Sequence, residues 1–101
     1  MANINILRVD QADPRRPIVH LSALPSVQWK AAFDAYVRWA KGGPIPPDPP
    51  AETHFSDVVM QSDFVVQADT IRITLRPPNA TYEHVRGFVE EAVAYANQHS
   101  P

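Results

Sequence analysis

Trp29-Lys30-Ala31-Ala32-Phe33-Asp34-Ala35-Tyr36-Val37-Arg38-Trp39 is the stretch that decides how this chain folds. At about 100° per residue, Trp29, Ala32, Phe33, Tyr36, Val37, Trp39 and Ala40 share one arc of about 160°. Lys30, Asp34, Arg38 and Lys41 lie opposite. An apolar arc that wide suits a helix resting on a sheet or on other helices, whereas a coiled-coil seam is narrower. Both tryptophans of the chain are here, and each brings an indole N–H that needs a partner once buried. A helix of this length is marginal alone in water, so the rest of the chain must supply its apolar counterpart.

Working back toward the N-terminus, Ser22 to Ser26 opens this helix, with Pro25 suited to a first turn because its missing N–H would be unpaired there. Ile18 to Leu21 is a short extended segment that can hairpin onto an earlier strand. Asp10 to Pro17 is a polar loop with two prolines. Asn3 to Val9 reads as that earlier strand, with Ile4 and Ile6 on one side and Asn5, Leu7 and Val9 on the other.

Working forward, Gly42-Gly43 ends the helix, and Arg38 and Lys41 complement the negative end of its dipole. Residues 42–53 form a proline-rich connector. Its core, Pro44 to Pro50, excludes helix and central strand and favours polyproline II. Such a stretch can also serve as a ligand for proline-recognising domains. Here it joins two periodic segments of one small domain, which favours a stiff connector.

Asp57 to Met60, Phe64 to Gln67 and Ile71 to Arg76 then read as a meander of two or three strands. In the last of these, Ile71, Ile73 and Leu75 face inward and Arg72, Thr74 and Arg76 outward. Pro77-Pro78 breaks it. From about Thr81 to Gln98, Tyr82, Val85, Phe88, Val89, Ala92, Val93, Tyr95 and Ala96 define a second helix with a similar arc. Gly87 falls on its polar side, where it weakens the helix, so it marks a close neighbour across that face. The fold expected is α+β: one domain spanning 1–101, a two-layer sandwich with both helices on one face of a mainly antiparallel sheet. The order is β-α-β-β(-β)-α, with three to five strands.

Composition narrows the function. A chain of 101 residues with 45% apolar and 20% charged residues is an ordinary single-core globule. The net charge of −2 gives no electrostatic case for nucleic acid or an anionic membrane. No run approaches the length of a membrane span, and the N-terminus reaches Arg8 without the apolar region of a secretory signal. The chain has no cysteine, which removes thiolate chemistry and disulfides and suits the cytoplasm. With three glycines, none of the phosphate-cradling loops can be written.

No catalytic residue, metal site or cofactor is assigned. His20, His54, His84 and His99 include no pair at metal-ligand spacing. Glu52-Thr53-His54-Phe55-Ser56-Asp57 gathers useful side chains, and a small enzyme centred on His54 and Asp57 is one reading. Ser56 lacks the strained elbow of a serine nucleophile, however, and residues this close in one loop seldom reach triad geometry. Val85-Arg86-Gly87-Phe88-Val89 resembles the core of an RNA-recognition-motif signature. It sits in a helical pattern and lacks the alternate aromatics that stack bases, so the resemblance is set aside.

The leading expectation is a non-catalytic protein–protein interaction or accessory protein that self-associates as a homodimer. Two helices can cover only one face of the sheet. Val59, Val65 and either Ile6 or Leu7 are expected on the other face, and the homodimer is expected to bury that face or the edge beside it, so an aspartate at Val65 should split the dimer. The alternative is a single-stranded nucleic-acid binder using Arg8, Arg72 and Arg76 on that same face, if the first and last strands are neighbours.

Overall fold

The computed structural model describes residues 1–101. The chain runs through β1 (Ile6–Asp10), β2 (Ile18–Leu21), α1 (Val27–Ala40), a short α2 (Asp57–Gln61), β3 (Asp63–Gln67), β4 (Thr70–Thr74) and α3 (Arg86–Gln98), the last preceded by a 3-10 turn at Tyr82–His84. The four strands form one antiparallel sheet in the order β1-β2-β4-β3. This is the expected α+β sandwich.

Each terminus of α1 has a local cause. Ser26, extended at φ −73°, caps it by accepting the Trp29 N–H at 3.1 Å, so Pro25 lies just before the helix rather than in its first turn. At the other end Gly42 takes φ +90°. The Gly42 N–H reaches Trp39 O and the Gly43 N–H reaches Arg38 O, the paired closure of a Schellman motif. A Cβ on Gly43 would stand 2.7 Å from Arg38 atoms, so both glycines are needed to turn the chain this tightly.

The aromatic arc is buried as expected: Trp29, Phe33 and Tyr36 have no exposed surface. Trp29 stacks on Phe33 at 5.6 Å. Phe88 of α3 lies where the layers meet, 5.6 Å from Tyr36 and 5.0 Å from Phe64 of β3. The sheet contributes Val19, Ile71 and Val66 in register, with Phe64 beside Ile73.

Three local readings of the sequence are corrected. Asp57–Met60 is not a strand but part of α2. Ser56 accepts the Val59 N–H at 3.3 Å and Asp57 sits in the first turn, so a capped helical start overrides the β preference of two valines. Val59 consequently points into the core, at 1% exposure. In β1 the register slips between Ile6 and Arg8. Leu7 is the extra residue of a β-bulge, so Ile6 and Val9 both pack toward the core while Leu7 and Arg8 are exposed. The second helix is broken at Val85: Tyr82–His84 is 3-10, and the α-helix proper starts at Arg86.

The proline-rich connector crosses the helical layer as a strap. Pro46 is buried, and the Tyr95 hydroxyl donates to Pro47 O at 2.7 Å. Phe55 then enters the aromatic cluster, 4.9 Å from Trp39 and 5.8 Å from Phe88.

Candidate functional site

Two places gather side chains that could act on something outside the chain. The first is the outer face of the sheet, which neither long helix covers. Cross-strand register puts Asp10, Ile18, Arg72 and Val65 in one row across all four strands. Arg8, His20, Thr70 and Gln67 form the next row.

Arg8 and Arg72 do share this face, but β1 and β4 are not neighbours, since β2 runs between them. Arg76 lies beyond β4, and its guanidinium is engaged by Asp63, with Nε to Oδ2 at 3.0 Å. Val65 is 56% exposed, isolated among polar neighbours. Val59 and Ile6 have turned inward, which leaves Leu7 and Val65 on opposite edges of the sheet. The continuous apolar face expected from the sequence is therefore absent, and the face is mainly polar. None of the aromatic residues lies in these two rows, so they offer no stacking platform for bases. Arg16 and Arg72 line a shallow depression of about 330 Å³ together with Asp13 and Thr74.

The second place is built on Glu91. Its Oε2 receives His54 Nδ1 at 2.8 Å, the His54 backbone N–H at 3.1 Å and the Tyr36 hydroxyl at 3.4 Å. Three donors from the strap and α1 thus converge on one carboxylate of α3. The hydrogen bond from Nδ1 to Glu91, with the charge behind it, raises the His54 pKa above its ordinary value. Burial, reinforced by Glu91, pushes the Tyr36 phenol upward. Burial also pushes the Tyr82 phenol up to about 12.

Gly87 is explained here. A Cβ at that position would stand 2.9 Å from His54 Cδ2, so the imidazole lies against bare backbone, the close neighbour expected from a glycine on the polar side of α3. Thr53, His54, Phe55, Ser56, His84 and Gly87 are among the residues lining a shallow, open depression of about 370 Å³.

Chemically this cluster orients one imidazole and does little more. Ser56 is occupied as the cap of α2, and Asp57, in the first turn of α2, is not the partner of His54. His84 Nδ1 accepts the Thr81 N–H at 3.0 Å, closing the turn before α3. His20 sits on the outer face of β2, and His99 stacks on Tyr95 at 4.1 Å. No three His, Cys, Asp or Glu side chains converge as metal ligands. Helical periodicity sets Glu91 and Asn97 on the outward side of the second helix, yet both are half-buried and serve neighbouring elements. Asn97 Oδ1 accepts the Trp29 indole N–H at 2.9 Å and the Ile4 N–H at 3.0 Å, while Nδ2 donates to Ile4 O at 2.9 Å.

Comparison with protein families, with curated proteins and with solved structures finds no match.

Proposed function

We propose that this chain is a small non-catalytic interaction protein of the cytoplasm that self-associates through its sheet. The observation that carries this reading is the sheet's exposure. The core and both long helices lie on one side, leaving the outer face and the β1 and β3 edges without a partner strand. Sheets with an open side and open edges are common docking layers.

The chemistry elsewhere supports a non-catalytic role. His54 and Glu91 form the one histidine–carboxylate pair held by hydrogen bonds, in an open depression whose serine is already committed to a helix cap. Nucleic-acid binding draws support from Arg8 and Arg72. It loses support from Asp10 and Asp63 beside them, from the missing aromatics and from the net charge of −2. No helix is long and apolar enough to cross a membrane.

The test is molar mass in solution by light scattering at tens of micromolar, with the wild type beside Val65→Asp. A dimer supports the reading, and a monomer at every accessible concentration overturns it. Splitting by Val65→Asp assigns the contact to the outer face near β3. A dimer that survives the substitution places the contact elsewhere on the sheet.

A further inference from the structure

Which part of the sheet meets the second copy can be read from the hydrogen-bond parity of β1. Between β2 and β4, Ile73 N–H reaches Pro17 O and Leu21 N–H reaches Asp69 O. The odd-numbered residues of β2 therefore direct their backbone groups toward β4, and Ile18 and His20 direct theirs toward β1. Ser22 N–H bonds to Asn5 O on that same side. Since Arg8 pairs with His20 and Asp10 with Ile18, Arg8 and Asp10 spend their backbone groups inside the sheet. Val9, between them, turns its N–H and C=O outward along the open edge. The Gln11 N–H also has no backbone acceptor.

The residues around Val9 are self-complementary. An antiparallel copy paired on a two-fold axis at Val9 sets Val9 opposite Val9 as a hydrogen-bonded pair. Arg8 then faces Asp10 of the other copy, twice, at the non-hydrogen-bonded positions where side chains approach most closely. Within one chain neither residue has an ion-pair partner: the four ion pairs are His54–Glu91, Arg76–Asp63, Arg86–Glu83 and Arg86–Glu90. A slip of two residues, the smallest that keeps the same side chains on one face, would oppose Arg8 to Arg8 or Asp10 to Asp10, so charge fixes the register. Beneath this edge a depression of about 330 Å³ is walled by Ile4, Ile6, Val93 and Ala94 among others, and a sheet continued by a second copy passes over it. The β3 edge lacks this complementarity, because the same operation about Val65 opposes Asp63 to Gln67.

We infer that β1 is a homodimerisation edge, pairing antiparallel with β1 of a second copy about Val9 and joining two four-stranded sheets into one. This rests on the self-association proposed above and names its contact.

The experiment is sedimentation equilibrium on the full chain with three sets of variants, each checked for wild-type circular dichroism. Arg8→Asp and Asp10→Arg each convert two attractive cross-strand pairs into repulsive ones and should weaken the dimer roughly tenfold or more. The double variant Arg8→Asp/Asp10→Arg should restore it, and the two single variants mixed together should form a heterodimer. Val9→Pro removes the outward N–H, a tolerable change on an edge strand, at the cost of some packing by a half-buried side chain, and should also leave a monomer. Val65→Asp should leave the dimer intact. A wild-type dimer indifferent to the charge reversals overturns the edge assignment but not self-association, and one split by Val65→Asp moves the contact to the β3 side. A wild-type monomer throughout overturns both.

Discussion

Replacing Asn97 with alanine removes three hydrogen bonds that tie the N-terminal segment and α1 to α3. The Trp29 indole N–H and the Ile4 N–H lose their shared acceptor, and Ile4 O loses its donor. Trp29 has no exposed surface, so its orphaned N–H bears the full desolvation penalty, about 1–3 kcal/mol. The Ile4 groups lie near the chain start and can reach water by fraying, so they cost only the net value of a hydrogen bond, about 0.5–1.5 kcal/mol each. The total, about 2–6 kcal/mol, is a large part of the stability of a domain this size. At roughly 4–8 °C per kcal/mol it lowers the melting temperature by about 10–50 °C.

Thermal and urea denaturation followed by circular dichroism measure the loss. A double-mutant cycle with Trp29→Phe isolates the indole, because phenylalanine needs no acceptor. Asn97→Ala should then cost about 0.5–3 kcal/mol less in the Trp29→Phe background. Asn97→Asp keeps an acceptor for both N–H groups but faces Ile4 O with a second oxygen, so its loss should fall in between. Equal costs for Asn97→Ala in the two backgrounds, or a loss under about 1 kcal/mol in the wild type, would refute the assignment of Asn97 as the partner of Trp29.

Two further substitutions check the layers. Phe33→Ala empties a site with no exposed surface and should destabilise the domain by about 3–5 kcal/mol; an unchanged melting temperature would place α1 outside the core. Glu91→Gln tests the strap. In the wild type the His54 pKa is raised by the Glu91 hydrogen bond and charge. The pair therefore contributes fully below the unfolded imidazole value of about 6.5, and its contribution is lost as pH rises through the folded value. In NMR titration the His54 midpoint should lie above that value and move back toward it in Glu91→Gln, and identical midpoints would contradict the pairing.

What the sequence made legible was whatever local chemistry decides. The arc of α1, its stop at Gly42-Gly43 and the alternation Ile71-Arg72-Ile73-Thr74 are each settled within a few residues, and each appears in the structure. The cap of α2 was legible too, since Ser56-Asp57 is an N-terminal signature. Two β-branched residues behind it pointed to a strand, and tertiary burial of Val59 settled the competition. The bulge at Leu7 was not legible. Inserting one residue into a pair leaves no mark on the inserted residue, yet it reverses which side chains face outward from there on. Because of that single residue Ile6 before the bulge and Val9 after it share the core side, while Arg8 and Asp10 face outward where they could meet a second copy.

The candidate sites followed the same division. Helical periodicity sorts residues into those inside and those outside, and it works because the two faces see different solvents. Glu91 and Asn97 lie where α3 meets its neighbours, partly buried and polar. They are on that border because the groups they serve, Tyr36, His54, Trp29 and Ile4, come from elements that only the assembled fold brings to α3. A glutamate or asparagine on a helix margin looks alike in sequence whether it meets water or a buried indole. The clue available in advance was the demand, not the supplier: a buried tryptophan must find an acceptor, and a glycine on the polar side of a helix points to a close approach. Both demands were met on α3, by Asn97 for Trp29 and by the His54 ring over Gly87. Residues at the border of an amphipathic arc are thus where a fold of this kind keeps its specific polar contacts, and they are the positions that periodicity resolves least.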